Sequence, residues 1–266
     1  MFKYFQYFCY FLFILNVTSL DFKPIYNLKI NRLPQNLQKI KTFQTTQELP
    51  ANIDLRNKFP DIFDQGHLGS CTANALTALV SYNEPNFIGS RLFLYYNERN
   101  MKGTTSTDAG ARITDGIIAL EKLGICSEEE WAYDISKFAI KPPDSCYESA
   151  SKNVVLEAFN INKDIDSMKT ALINNHPFAV GIYLYSSFKS KYVFNTGLVP
   201  YPRFDEKLLG GHAVVCCGYD DDKKVWIMRN SWGDKWGDKG YFYLPYKYLL
   251  NPKLTSDLWT ITKTSQ

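Results

Sequence analysis

The chain has 266 residues, 45% of them hydrophobic and 21% charged, with a formal net charge of +3. That composition belongs to a globular protein with a sizeable core, not to a disordered segment, and the interspersed charges offer no nucleic-acid surface. Six cysteines in 266 residues are too few for a disulfide scaffold, and with only three histidines and no C-x-x-C pair nothing hints at structural zinc.

The first stretch stands apart. Lys3 is followed by a wholly apolar or aromatic run from Tyr7 to Leu15, and then by Val17-Thr18-Ser19. This is the form of a secretory signal peptide over 1–19, with a retained signal anchor as the other reading. Localisation is therefore expected in the secreted or endomembrane-lumen space, with membrane contact only if this segment is kept. Residues 20–48 are polar and aperiodic, and read as a short pro-segment or linker. The folded domain is expected over 49–266, with a mainly helical half to about 150 and a mainly β half after it.

In chain order, Ser70 is placed to cap a helix over Cys71 to Val80, which is rich in Ala, Leu and Val. Asp115 to Leu123 carries apolar residues at helical spacing and stops at Gly124. Four short apolar runs follow: Ala179 to Leu184, Ala213 to Tyr219, Val225 to Met228 and Tyr241 to Leu244. They read as strands. Asp220 to Lys224 reads as a solvated hairpin turn and Tyr201 to Leu209 as a loop. A helical half beside a β half gives an α+β fold with a cleft between the two.

The chemistry concentrates at three places. In Asp64-Gln65-Gly66-His67-Leu68-Gly69-Ser70-Cys71-Thr72, two glycines and a serine lead into a helix whose first residue is a thiol. Backbone N–H groups and the helix dipole favour a thiolate there, so a lowered Cys71 pKa is expected. A thiol nucleophile needs a base. His212, in Gly210-Gly211-His212-Ala213, is expected to begin a buried strand at the cleft edge. His176 lies in a turn and His67 in a loop, both expected near the surface. Asn230, in Arg229-Asn230-Ser231-Trp232-Gly233, can accept a ring N–H and orient an imidazole, with Trp232 shielding the bond.

Taken together, Gln65…Gly69-Ser70-Cys71, Gly211-His212-Ala213-Val214 and Asn230-Ser231-Trp232-Gly233…Trp236-Gly237 resemble the papain family of cysteine peptidases. His212 follows Cys71 by about 140 residues, within the family's window of roughly 130–150, and Asn230 lies slightly beyond it. The resemblance implies a papain-like two-subdomain fold, with a helical left half and a β-barrel-like right half. It implies peptide-bond hydrolysis through a thioester and no cofactor or metal. Cys71 would be the nucleophile, His212 the base, Asn230 its orienter and Gln65 an oxyanion donor. Gly69, Ser70 and Trp232 would be structural residues near the site. Gly110 and Ala111 match the family's glycine pair, whose backbone pairs with an extended substrate. A protein or peptide substrate and a monomeric enzyme are expected.

The chain also departs from that pattern. Leu68 and Asp108 stand where the family has the two ends of a disulfide, and Thr72 replaces the aromatic after the nucleophile. Asp115-Gly116 suggests a divergent branch. Residues 20–48 are too few for the family's long helical propeptide, although a short segment can still occupy the cleft. Cys216 and Cys217 read as small core residues, Cys9 falls in the targeting segment, and a Cys126–Cys146 bridge stays open. So do three other functional readings: a non-catalytic binding homologue, an exopeptidase and an acyl transferase on the same fold.

Overall fold

The computed structural model describes residues 26–29 and 48–265. The expected signal segment and most of the pro-segment lie outside these residues. No helix among the described residues is long and apolar enough to cross a membrane.

The first half is built around one helix. After the short strand β1 (Asn52–Asp54) comes α1 (Cys71–Asn83), in which every residue but the last is buried. Such all-round burial suits its Ala/Leu/Val sequence and makes α1 the axis of the molecule rather than a surface helix. Helices α2 (Arg91–Asn100) and α3 (Ile113–Lys122) pack against it, and α4 (Asp144–Ala150) closes that side. α1 runs three residues beyond its apolar stretch. Phe59 packs on the Tyr82 ring, and the Asn83 amide donates to Leu79 O at 2.8 Å and Ile261 O at 3.3 Å. α3 starts two residues earlier than its periodicity predicts and ends before Gly124. That glycine has φ +75°, and a Cβ there would lie 1.9 Å from Ala150 O, so only glycine fits the turn.

The second half is a sheet. It comprises β2 (Val155–Asn160), β3 (Phe178–Tyr185), β4 (Leu208–Asp220), β5 (Val225–Arg229), β6 (Tyr241–Pro245) and β7 (Thr255–Thr264). Helices α5 (Ile165–Ile173), α6 (Lys191–Thr196) and α7 (Tyr246–Leu250) lie between its strands in the chain. The order is β2-β7-β3-β4-β5-β6, with β1 added onto β4, and all pairings are antiparallel. β2 and β6 remain edges, so this α+β architecture carries an open sheet rather than a closed barrel.

Two apolar clusters fill the interior. One surrounds α1, α2 and α3, and the other lies within the sheet half under Phe178, Trp226 and Phe242. Cys216 and Cys217 are both fully buried in the second, as small hydrophobes. The strand expected from Ala213 begins five residues sooner. Tyr183, Leu184 and Tyr185 of β3 pair with Gly211, Gly210 and Leu208, which draws a glycine-containing stretch into the ladder. His212 therefore sits inside β4, opposite Ile182, rather than at its start.

Candidate active site

α1 brings Cys71 against β4. The sulfur receives backbone N–H groups of Cys71, Thr72 and Ala213, so the start of the helix does aim its amides at the thiol. Those amides hold the pKa down, but complete burial outweighs them and pushes it up to about 12. The lowered value expected from sequence is thus not found here, because the site is covered. His212 is fully buried as well, and desolvation lowers its pKa to about 4, with the Asn230 bond opposing.

Asn230 follows directly on β5. Its Oδ1 accepts the Ser231 backbone N–H at 2.9 Å and lies 2.8 Å from His212 Nε2. An amide N–H can only donate, so the Ser231 bond fixes which end of the Asn230 side chain faces this way. Nε2 of His212 must then carry the proton, leaving Nδ1 as the basic nitrogen. Nδ1 is buried and has no hydrogen-bond partner among the described residues. Trp232 stacks on the imidazole at 4.7 Å between centroids and 25° between planes, and shields the bond from water.

The loop before Cys71 is clamped from several sides. The fully buried Gln65 donates from Nε2 to Leu68 O at 3.0 Å, and its Oε1 accepts the Ser231 hydroxyl at 2.6 Å. Tyr133 donates its hydroxyl to Gln65 O at 3.0 Å and meets Ser70 Oγ, to which Asn74 Nδ2 also donates at 3.0 Å. Ser70 spends its hydroxyl on these contacts and makes no side-chain cap on α1, contrary to the expectation from sequence. Gly69 donates its N–H to Asp108. His67 is exposed and His176 half-buried, and neither forms part of this cluster.

A short piece of the expected pro-segment lies in the cleft itself: residues 26–29 cross it. Asn27 bridges Gly211 in parallel, Leu28 N–H donates to Gly211 O at 3.1 Å, and Lys29 N–H donates to Ala111 O at 2.9 Å. Leu28 is 8% exposed and presses on Gly181 of β3. Tyr26 packs against Trp232 with centroids 5.9 Å apart. Gly110, at φ +66°, lets Asn27 O approach so closely that a Cβ would stand 1.8 Å from it. Its N–H turns inward to Tyr95 Oη at 3.1 Å, so the ridge offers the crossing chain the Ala111 carbonyl.

Cys126 and Cys146 are both free thiols, and Cys146 donates its S–H to Glu130 O at 3.9 Å. Leu68 and Asp108 leave the nucleophile loop without a covalent tie.

The profile of the papain family cysteine proteases matches residues 49–249. An uncharacterised peptidase C1-like protein of Acanthamoeba polyphaga mimivirus is 40% identical over 250 residues, covering 85% of this chain and 80% of its own. Cathepsin B-like CP2 of Giardia intestinalis is 26% identical over 218 residues, covering 76% of this chain and 70% of its own. Among solved structures, xylellain, a cysteine protease from Xylella fastidiosa, superposes with a TM-score of 0.82 at 37% identity. It covers 90% of this chain and 96% of its own. With three motifs in order around one cleft and a profile match across the folded region, this chain belongs to the papain family of cysteine proteases.

Proposed function

We propose that this protein is an endopeptidase in which Cys71, His212 and Asn230 act as nucleophile, base and orienter. The observation that carries the reading is the Ser231–Asn230–His212 chain of hydrogen bonds, which leaves Nδ1 basic beside the residue whose N–H meets the Cys71 sulfur. Nδ1 takes the thiol proton as the sulfur attacks the scissile carbonyl carbon. The oxyanion is held by the second Nε2–H of Gln65, the first being spent on Leu68 O, and by the Cys71 N–H. Collapse breaks the C–N bond, and Nδ1 passes its proton to the leaving amine. Water then attacks the thioester, giving its proton to Nδ1, and the thiol is restored. The Ala111 carbonyl holds an extended substrate strand in the place Lys29 now occupies.

In this reading residues 20–48 are a pro-segment, of which 26–29 block the cleft, and 49–266 are the peptidase domain of a secreted or lumenal monomer. The neutral Cys71–His212 pair belongs to the covered form. Uncovering rehydrates both groups and permits the thiolate–imidazolium pair.

The test is labelling with a thiol-directed epoxide after removal of the segment before Leu49, together with hydrolysis of an internally quenched peptide. Stoichiometric label on Cys71, and no hydrolysis by Cys71→Ala, are expected. A folded, unlabelled protein would overturn the reading. Cleavage confined to one peptide terminus would make it an exopeptidase.

A further inference from the structure

The loop and ridge that flank the Cys71 sulfur are joined by a single carboxylate. Asp108 Oδ1 and Oδ2 share the Gly69 N–H at 3.1 and 3.0 Å, two residues before the nucleophile. On its other side Oδ1 accepts the hydroxyl of Tyr95, a fully buried residue of α2. That hydroxyl in turn accepts the Gly110 N–H at 3.1 Å. A hydroxyl has one proton, and an N–H can only donate to it, so the Tyr95 proton is committed to Asp108. The chain therefore converges on the carboxylate: Gly110 donates to Tyr95, and Tyr95 from the substrate ridge and Gly69 from the nucleophile loop both donate to Asp108.

The loop that carries Asp108 is itself held. The Arg99 guanidinium donates to Thr105 O at 2.7 Å and Thr107 O at 3.0 Å, and to Phe138 O. It also lies 4.1 Å from the Tyr95 ring centroid. No side-chain freedom is left to Asp108 that would not break one of these bonds. Space is short as well: a Cβ on Gly69 would lie 2.9 Å from Asp108 Oδ1, so the loop passes at van der Waals contact with the carboxylate.

We propose that Asp108 is a positioning residue for peptide hydrolysis, fixing the Gly69–Cys71 loop and the Gly110–Ala111 ridge to one another through its carboxylate and Tyr95. Leu68 and Asp108 carry no cross-link between them, and hydrogen bonds accepted by the Asp108 side-chain oxygen perform the task instead. The inference rests on the peptidase reading. The two arms have separable consequences. The Gly69 arm sets the attitude of Cys71 and its oxyanion donors, and so governs kcat. The Tyr95 arm sets the Ala111 carbonyl against the substrate strand, and so governs KM.

Three variants of the full chain separate the arms, each assayed after self-processing with active sites counted by epoxide titration. Asp108→Leu removes both arms, and kcat should fall and KM rise, each by about tenfold. Asp108→Asn keeps an oxygen for both donors and should stay within about threefold of wild type. Tyr95→Phe cuts only the ridge arm and should raise KM with kcat nearly unchanged. The alkylation rate of Cys71 by iodoacetamide reads the loop arm without any peptide, and should fall in Asp108→Leu alone. If the wild type alkylates at Cys71 but hydrolyses no peptide, the peptidase reading fails while this readout still judges Asp108. Wild-type kcat, KM and alkylation in Asp108→Leu, or a loss of thermal stability alone, would overturn the proposal. So would an Asp108→Asn variant as damaged as Asp108→Leu. Should Asp108→Leu fail to fold, an unchanged KM in Tyr95→Phe would overturn it.

Discussion

His212 Nε2 donates to Asn230 Oδ1 at 2.8 Å, and the same oxygen accepts the Ser231 N–H at 2.9 Å. The imidazole tautomer is thus set by a backbone amide one residue beyond its partner. Asn230→Ala removes the acceptor and frees the ring to rotate or change tautomer. We expect kcat to fall by about 10²-fold, the scale of a misplaced catalytic group, with KM little changed. Steady-state kinetics on active-site-titrated enzyme measures this. A variant with wild-type kcat would remove Asn230 from the orienting role.

Residues 26–29 are held across the cleft by two backbone hydrogen bonds, the Asn27 Nδ2 bond to Asp108 O at 3.1 Å, the packing of Tyr26 on Trp232 and one buried leucine. Burying a leucine side chain is worth about 1.5–3 kcal/mol, a factor of roughly ten to a hundred in an equilibrium. Leu28→Asp should therefore loosen the segment and raise the initial activity of the unprocessed chain by at least about tenfold. The processed enzyme, which lacks residue 28, should be unaffected. The measurement is the initial rate before any processing is visible on a gel. Equal rates for Leu28→Asp and wild type would show that the cleft is not closed by this segment.

Parts of this arrangement are legible in the sequence, and the limit is set by range. The helix at Cys71 announces itself through its run of Ala, Leu and Val, and the strands around Val180, Val214 and Ile227 through theirs. Gly210 and Gly211 read locally as loop, and only pairing with Leu184 and Tyr183 makes them strand. β7 is rich in β-branched residues over Thr255–Thr264, a composition that suits a strand, but its burial does not alternate. Ser70 has the right chemistry for a cap, yet Tyr133, 63 positions away, claims its hydroxyl. Asp108 reaches Gly69 across 39 positions, and Asn27 reaches Asp108 O across 81. No local pattern encodes such contacts. The covering of the cleft has the same origin, because Tyr26 to Lys29 come from outside the domain they cross.

Acid should favour uncovering. Burial holds the His212 pKa at about 4, whereas a solvated imidazole titrates near 6.5. The groups recorded against the ring are Asn230 and Trp232, and neither titrates. The depressed value means that the covered form is fully favoured above pH 6.5. It loses ground as pH falls, by up to about 1.4 kcal/mol per unit, until the covered imidazole also protonates near pH 4. Exchange of the Leu28 and Lys29 amides in Cys71→Ala protein, corrected for intrinsic rate, should show opening increase from pH 6.5 to 4. His212→Asn should flatten that dependence. A slope that survives the substitution would assign the proton to another group.

Glu98 gives the opposite pH dependence. It is fully buried on α2, and its Oε2 accepts the Thr72 hydroxyl at 2.7 Å, one residue after the nucleophile. Burial raises its pKa well above the usual carboxyl value, Asp115 adds to this, and Thr72 and Arg99 oppose it. A carboxyl raised on folding keeps its proton where the unfolded chain has released it. Stability is therefore complete below about pH 4.5 and declines as pH climbs toward the folded pKa. Glu98→Gln supplies the same oxygen to Thr72 and never ionises, so it should match wild type near pH 4 and melt at a higher temperature at pH 7 to 8. The gap between the two melting curves should widen with pH across that range. Parallel curves would mean that Glu98 is ionised in the fold. Its charge would then stand beside the start of α1, bonded to the Thr72 hydroxyl, where a carboxylate would oppose formation of the Cys71 thiolate.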